Sequence, residues 1–253
     1  MAVTRTESDV SRVFVALAGG LAGGDDVVEL LTTLTGECAR LLDVASTGLL
    51  LADRRAVLHV MAASSERTRE LEVFQLQRDE GPCRDSYVGG TAISVPDLAA
   101  ETGRWPQFAP HALAAGFTSV HALPMRLGGA KLGTLGLFGT SVGDLRPADL
   151  SLGQALADVA SIAIVQDRTS SSQTSINTQL QRALTSRVVL EQAKGVLAQQ
   201  GSLEMPDAYS VLQRYARDHD RRLTELAGAV VARQLPGRLL LDHAQAAAAT
   251  GQT

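Results

Sequence analysis

The sequence has 253 residues, 45% hydrophobic and 20% charged, with a formal net charge of −4. That length allows one or two domains with apolar cores of their own. The two cysteines, Cys38 and Cys83, exclude a disulfide scaffold and make no metal-ligand pair. The N-terminus lacks the basic start and apolar run of a signal peptide, and the apolar stretches read as too short for a membrane span. A reducing cytoplasm is the expected location.

Arg12 to Leu42 reads as helical, interrupted by glycines around Gly19 to Asp26. Val27, Leu30, Leu31, Leu34, Cys38 and Leu41 carry helical spacing. Thr47–Leu51 and Val57–Met61 read as two strands of a hairpin. Ser64 to Gln77 is charged and helix-compatible, with Ser64 as its cap, and Glu80-Gly81-Pro82-Cys83 breaks the chain. Ala92–Val95, Ser119–Met125 and Leu132–Phe138 read as further strands, the last two joined at Gly128-Gly129. Pro147 to Gln166 returns to helix. Helices on either side of short strands predict an α+β fold, one sheet with helices on one face.

Thr169 to Thr178 is polar and serine-rich, either a flexible linker or a helix continuing across a boundary through Ile164, Ile176, Leu180 and Leu184. Beyond it the pattern is all helical. One helix spans Leu180–Gln200, with stripes at Leu180, Leu184 and Val188 and at Val189, Ala193, Val196 and Leu197; Gly201 stops it. A second starts at Pro206 and runs to about Asp218, and a third follows over Glu225–Gln234 with Thr224 as cap. The segment from Pro236 is expected to be a flexible tail, low in complexity at its end. The organisation is therefore 10–168 for the α+β domain, 169–178 for the connector, 179–235 for an all-α three-helix bundle and 236–253 for the tail. Charge is unevenly shared: residues 1–174 carry 14 basic and 20 acidic side chains, and residues 175–235 carry 8 and 6.

Three stretches of the C-terminal part, LQRALTSRVVLEQAKGVLAQQG, DAYSVLQRYARDHDRRL and TELAGAVV, together resemble the ANTAR family. The signature is Ser186-Arg187-Val188-Val189-Leu190-Glu191-Gln192-Ala193-Lys194-Gly195. The resemblance implies an RNA-binding antiterminator that holds paired hairpin loops of a leader transcript and prevents terminator formation. Upstream, Gly81-Pro82-Cys83-Arg84-Asp85, Trp105-Pro106, Ala115-Gly116-Phe117 and Leu132-Gly133-Thr134-Leu135-Gly136 resemble the GAF domains that precede ANTAR in actinobacterial proteins, over about Val10 to Val165. That implies an antiparallel sheet with flanking helices that senses a small molecule or serves dimerisation. A homodimer with RNA as partner is expected, with no membrane, no catalytic residues, no metal and no assigned cofactor. Two departures stand out. Met205 precedes Pro206 where members often have a polar cap, and no receiver-type domain with a phosphorylatable aspartate is present.

Arg187, Glu191 and Lys194 are three or four apart and share a helix face, read as opposite the apolar stripes. They serve either RNA phosphates and loop bases or a solvated ion pair. The resemblance favours RNA, and so does the use of lysine, since only Lys131 and Lys194 break an otherwise all-arginine usage. Arg214, Arg217 and Arg221 would form a second basic stripe, with Arg222 beyond. Tyr209 is divided between packing and base stacking, Tyr215 reads as core, and Gly195 would admit a close approach. Gln192 is a base-edge candidate. In the upstream domain Cys83, Trp105 and His121 are candidate pocket residues. Cys83 reads equally as a buried thiol and Trp105 as a core filler; His59 and His121 could be satisfied strand histidines, and haem is not assigned. The competing reading of the C-terminal helices is a DNA-binding unit of helix-turn-helix type, but the turn Gly201–Met205 is long for that motif. An enzyme and a protein-binding sensor are weaker alternatives.

Overall fold

The computed structural model describes residues 7–23, 26–165 and 173–250. Contacts divide the chain into two units, Met1–Leu184 and Thr185–Thr253. The first unit opens with α1 (Glu7–Gly23) and α2 (Val27–Leu41). Its sheet comprises β1 (Ser46–Ala52), β2 (Leu58–Ala63), β3 (Ile93–Val95), β4 (Ser119–Leu127) and β5 (Ala130–Gly139). The strands are ordered β2-β1-β5-β4-β3 and every pair is antiparallel. Between β2 and β3 come α3 (Glu66–Arg78) and α4 (Pro82–Gly89). Between β3 and β4 come a 3-10 turn (Leu98–Glu101) and α5 (Phe108–Ala114). The helix α6 (Pro147–Val165) follows the sheet.

The helices cover both faces of this sheet, not one. β1 is buried at all seven positions and β4 at its first seven, so side chains of both parities need a cover. On one face Leu50, Val120, Ala122 and Phe138 join Leu71, Cys83, Trp105 and Phe108 in a single cluster. On the other, Thr47 donates its hydroxyl to the Thr35 carbonyl of α2 at 2.6 Å. Gly153 of α6 leaves room there for Leu42, Leu123 and Leu137, which a Cβ would meet at 2.8–3.4 Å. α6 is also long and apolar enough by composition to cross a membrane, contrary to the expectation from the sequence. Leu156, Ala157 and Ala160 are fully buried and α6 packs along β4, which makes its apolar character that of a core helix.

Local signals read well with small shifts. Pro82 starts α4 at its first turn instead of merely breaking the chain. Ser65, not Ser64, caps α3, accepting from Thr68 N at 3.2 Å. Ser64 is occupied otherwise, accepting from Thr47 N at 2.9 Å. Of the glycine-rich interruption, α1 runs through Gly19 to Gly23, and residues 24–25 lie outside the described residues. So do residues 166–172, which include the end of the expected domain and the first four residues of the expected connector; the rest of the connector, from Gln173, is helical.

The helix α7 (Gln173–Gly201) belongs to the first unit up to Leu184 and to the second beyond it. In the second unit α8 (Met205–Asp218), α9 (Leu223–Val231) and α10 (Gly237–Thr250) follow. Their core is Leu190, Ala193 and Leu197 of α7 with Leu212, Leu226 and Leu240 of the others, all fully buried. Val188, expected in an apolar stripe, is 57% exposed; the inward row runs through Leu190 instead. Thr224 lies inside α9, whose N-cap is Arg222 without a side-chain cap.

The expected three-helix bundle therefore has a fourth helix, and the segment from Pro236 is not a flexible tail up to Thr250. Pro236 accepts at its carbonyl from Leu239 N at 3.1 Å, in the first turn of α10. Leu240 enters the core, and Gly237 sits so near α7 that a Cβ would meet Leu197 at 3.0 Å. His243 pairs with Asp218 of α8 at 2.8 Å. Residues 251–253 lie outside the described residues. Leu240→Ala is expected to destabilise this unit by about 2–5 kcal/mol, the usual range for a fully buried leucine. Chemical denaturation followed by circular dichroism checks this, and an unchanged midpoint would show that α10 is not part of the core.

Candidate functional site

The signature segment lies on α7, where Arg187, Glu191 and Lys194 fall on one face by helical geometry. Glu191 is the hub. Its Oε1 lies 2.5 Å from Arg187 Nη2, and Lys194 Nζ donates to both carboxylate oxygens at 3.0 Å. The Arg187 and Lys194 side chains are only 12% and 13% exposed. This face is thus not the solvated surface opposite the core that the sequence suggested. The second helix leans over it: Lys194 Nζ lies 5.8 Å from the centroid of the Tyr209 ring, within cation–π range. Gln213 Nε2, one turn along α8, donates to the Tyr209 hydroxyl at 3.1 Å.

Two cations, one carboxylate, a phenol and an amide therefore form one connected polar cluster between α7 and α8. Its net charge is one positive, carried by groups already stripped of most of their water. A phosphate or the carbonyl edge of a base can replace Glu191 as acceptor for either cation, and the Tyr209 ring offers a stacking face. Next to it, Gly195 occupies a helix interior with nothing within 4 Å of the position a Cβ would take. Packing does not require glycine there, although glycine costs about 1 kcal/mol relative to alanine in a helix. Gln192 is exposed on the same helix.

The second basic stripe is not brought together as expected. α8 ends at Asp218 and the backbone turns left-handed at Asp220 (φ 49°). Arg221 and Arg222 therefore lie in the turn before α9, and only Arg214 and Arg217 lie on α8. Arg214 points away from Tyr209, donating to the Ala244 carbonyl of α10 at 3.4 Å. Arg217, Arg221 and Arg222 are exposed. Tyr215 is half-buried, stacked on His219 at 3.9 Å and met edge-on by His243.

In the first unit the three pocket candidates divide between the two faces of the sheet. Cys83 and Trp105 join the cluster beneath α3, α4 and α5. The Trp105 indole donates to Asp85 Oδ2 at 3.2 Å, with the Arg104 guanidinium 4.3 Å above its ring. His121 alternates with Val120 and Ala122 of that cluster and so faces the opposite side. Its Nδ1 lies 2.6 Å from Ser94 Oγ, and burial pushes its pKa down. His59 is partly exposed and bonded to Asp53 Oδ2 at 3.1 Å.

The group that sequence reasoning missed is Glu72. It lies within the charged-looking helix α3, yet it is fully buried against the sheet. Gly48 and Gly136, paired across β1 and β5, make the space; a Cβ on either would come within 3 Å of Glu72 Oε1. Cys83 Sγ lies 3.6 Å from Oε1, Gln75 Nε2 donates to Oε2, and Gln75 Oε1 is buried without a partner. Burial pushes the Glu72 pKa up to about 8, against smaller lowering contributions from Cys83 and Gln75. The same burial, and the adjacent carboxyl, push the Cys83 thiol up as well, which makes it an inert thiol at neutral pH. The pair of glycines facing each other in adjacent strands was the available signal.

A carboxyl with a raised folded-state pKa contributes stability that is full below its ordinary pKa and lost as pH rises through the folded value. The first unit is therefore expected to lose stability from about pH 4.5 to about pH 8, by up to ~1.4 kcal/mol per pH unit. Glu72→Gln should flatten that slope. Urea melts across this window check it, and equal slopes for variant and parent would contradict the assignment.

Among known proteins, a GAF domain model matches residues 24–165 and an ANTAR domain model matches residues 178–231. No curated protein matches the chain. Solved structures similar to it include the phycocyanobilin-bound GAF domain of a cyanobacterial phytochrome, at 16% identity over 65% of this chain and 96% of that one, TM-score 0.49. Another is the free methionine-R-sulfoxide reductase of Neisseria meningitidis in complex with its substrate, at 13% identity over 73% and 97%, TM-score 0.48. A third is the GAF domain of a phosphoenolpyruvate-protein phosphotransferase from Coxiella burnetii, at 12% identity over 63% and 95%, TM-score 0.47.

Proposed function

The chain belongs to the GAF domain family, with an ANTAR domain behind, and from that premise we propose that it is an antitermination regulator whose RNA docks on the α7–α8 cluster. The ANTAR domain implies RNA binding and antitermination, and the GAF domain implies a sensor; both are regulatory domains. The observation that carries the site is Lys194, held by Glu191 over the Tyr209 ring beside Gly195, whose helix surface is open. The RNA is a pair of hairpin loops in a leader transcript, held by two copies of the chain. Arg187 and Lys194 take phosphate or base oxygens, Tyr209 stacks on an unpaired base, and Gln192 reaches a base edge. Arg217, Arg221 and Arg222 are exposed and supply further phosphate contacts. A signal received in the GAF unit, with Cys83 and Trp105 nearest to it, controls binding.

Removing both cations alone would leave Glu191 half-buried and unpaired. The informative variant is therefore Arg187→Gln/Glu191→Gln/Lys194→Gln, which neutralises the cluster and keeps helix propensity. It should lower affinity for a two-hairpin RNA more than tenfold while melting like the parent. Gly195→Ala should raise the stability of the second unit by about 1 kcal/mol and weaken RNA binding. Gel mobility shifts beside thermal melts check both. Unchanged RNA affinity in both variants, or tighter binding to duplex DNA than to hairpin RNA, would overturn the assignment.

A further inference from the structure

α10 lies beyond the residues that the ANTAR model matches, and with α8 and the end of α7 it lines an open cleft of about 560 Å³. That volume is in the range of small-molecule pockets. Its apolar lining includes Leu203, Val211 and Leu241; its charged lining is Asp207 and Arg214 of α8 with Arg238 and Asp242 of α10. Arg214 donates to the Ala244 carbonyl. Asp207, Arg238 and Asp242 line the cleft, are exposed, and have no ion-pair partner among the described residues, so they are available to a ligand there. The four charges cancel. A polyphosphate would meet two carboxylates, and a cationic ligand would meet two guanidiniums. What suits the cleft is a flat, neutral ring with both donors and acceptors on its edge. Carboxylates accept from an exocyclic amine, and guanidiniums donate to a ring carbonyl or nitrogen or stack on its face.

We propose that this cleft is a nucleobase site that receives an unpaired base of the bound RNA. For the source of that base the inference rests on the RNA-binding reading above. The site is separate from the Lys194–Tyr209 cluster, because Arg214 turns to the opposite side of α8 from Tyr209. Five of its twelve lining residues come from α10, outside the residues that the ANTAR model matches.

The test photocrosslinks the full-length protein to total cellular RNA and identifies the modified peptides by mass spectrometry. In parallel, adenosine and cytidine monophosphates are tested by equilibrium dialysis. Nucleobase adducts are expected on residues 200–207, 210–214 and 238–245, in addition to those on Lys194 and Tyr209 themselves. The variant Arg238→Gln/Asp242→Asn changes two exposed side chains that have no ion-pair partner among the described residues, and leaves the core intact. It should lose the adducts on 200–207, 210–214 and 238–245, keep those on Lys194 and Tyr209, and bind RNA about tenfold more weakly, the effect of losing charge-assisted hydrogen bonds. Adducts confined to Lys194 and Tyr209 themselves, or cleft adducts unaffected by the variant, would overturn the proposal. Binding of a free monophosphate that depends on Asp242, with no RNA adduct anywhere, would keep the nucleobase site and overturn the RNA reading. Neither adducts nor nucleotide binding would overturn both.

Discussion

Glu191 is the residue on which the C-terminal unit's chemistry depends. It lets the chain hold an arginine and a lysine largely out of water, close to each other, against the ring of a neighbouring helix. Without a carboxylate between them, Arg187 and Lys194 would repel, and each would carry an uncompensated desolvation cost. With it, both cations are positioned before any ligand arrives, so less side-chain freedom is lost on binding. The arrangement also explains why the cluster is not simply a basic patch. It exchanges one acceptor for another, a phosphate or a base carbonyl competing with Glu191 for either cation.

The first unit is organised by a different constraint, a sheet that must be covered twice. Continuous burial along β1, β4 and β5 calls for α2 and α6 on one side and α3, α4 and α5 on the other. The second layer is where Glu72, Gln75 and Cys83 meet over two glycines. A carboxyl held neutral there at moderate pH is a polar feature inside an otherwise apolar layer.

Most elements were legible in the sequence because their signals are local. Apolar spacing placed α2 and α6, and alternating or continuous apolar runs placed the strands. The family signature at Ser186–Gly195 was legible for the same reason: it is contiguous. What was not legible depended on residues far apart. The second helical layer was missed because α4 and α5 are short: Glu80-Gly81-Pro82-Cys83 read as a break, and no element was assigned over Phe108–Ala114. Yet the unbroken run Leu49-Leu50-Leu51 already called for cover on both faces. Glu72 looked like surface because its helix is charged, and only the pairing of Gly48 with Gly136 reveals the space it fills. α10 was read as a tail because Pro236-Gly237 resembles a stop and the end is low in complexity. Its alanines are nevertheless the strongest helix formers, and Leu240 supplies the anchor. The arginine stripe assumed that α8 continues past Asp218, where the backbone turns left-handed instead.

The central claim is that this chain recognises RNA through a preorganised cation pair on α7. Sequencing the RNA recovered with the full-length protein, beside the RNA recovered with the Arg187→Gln/Glu191→Gln/Lys194→Gln variant, tests it most directly. The account predicts that the parent enriches transcript segments able to form two neighbouring stem-loops and that the variant recovers only background. Equal recovery by both proteins, or enrichment of segments without stem-loops, would contradict it.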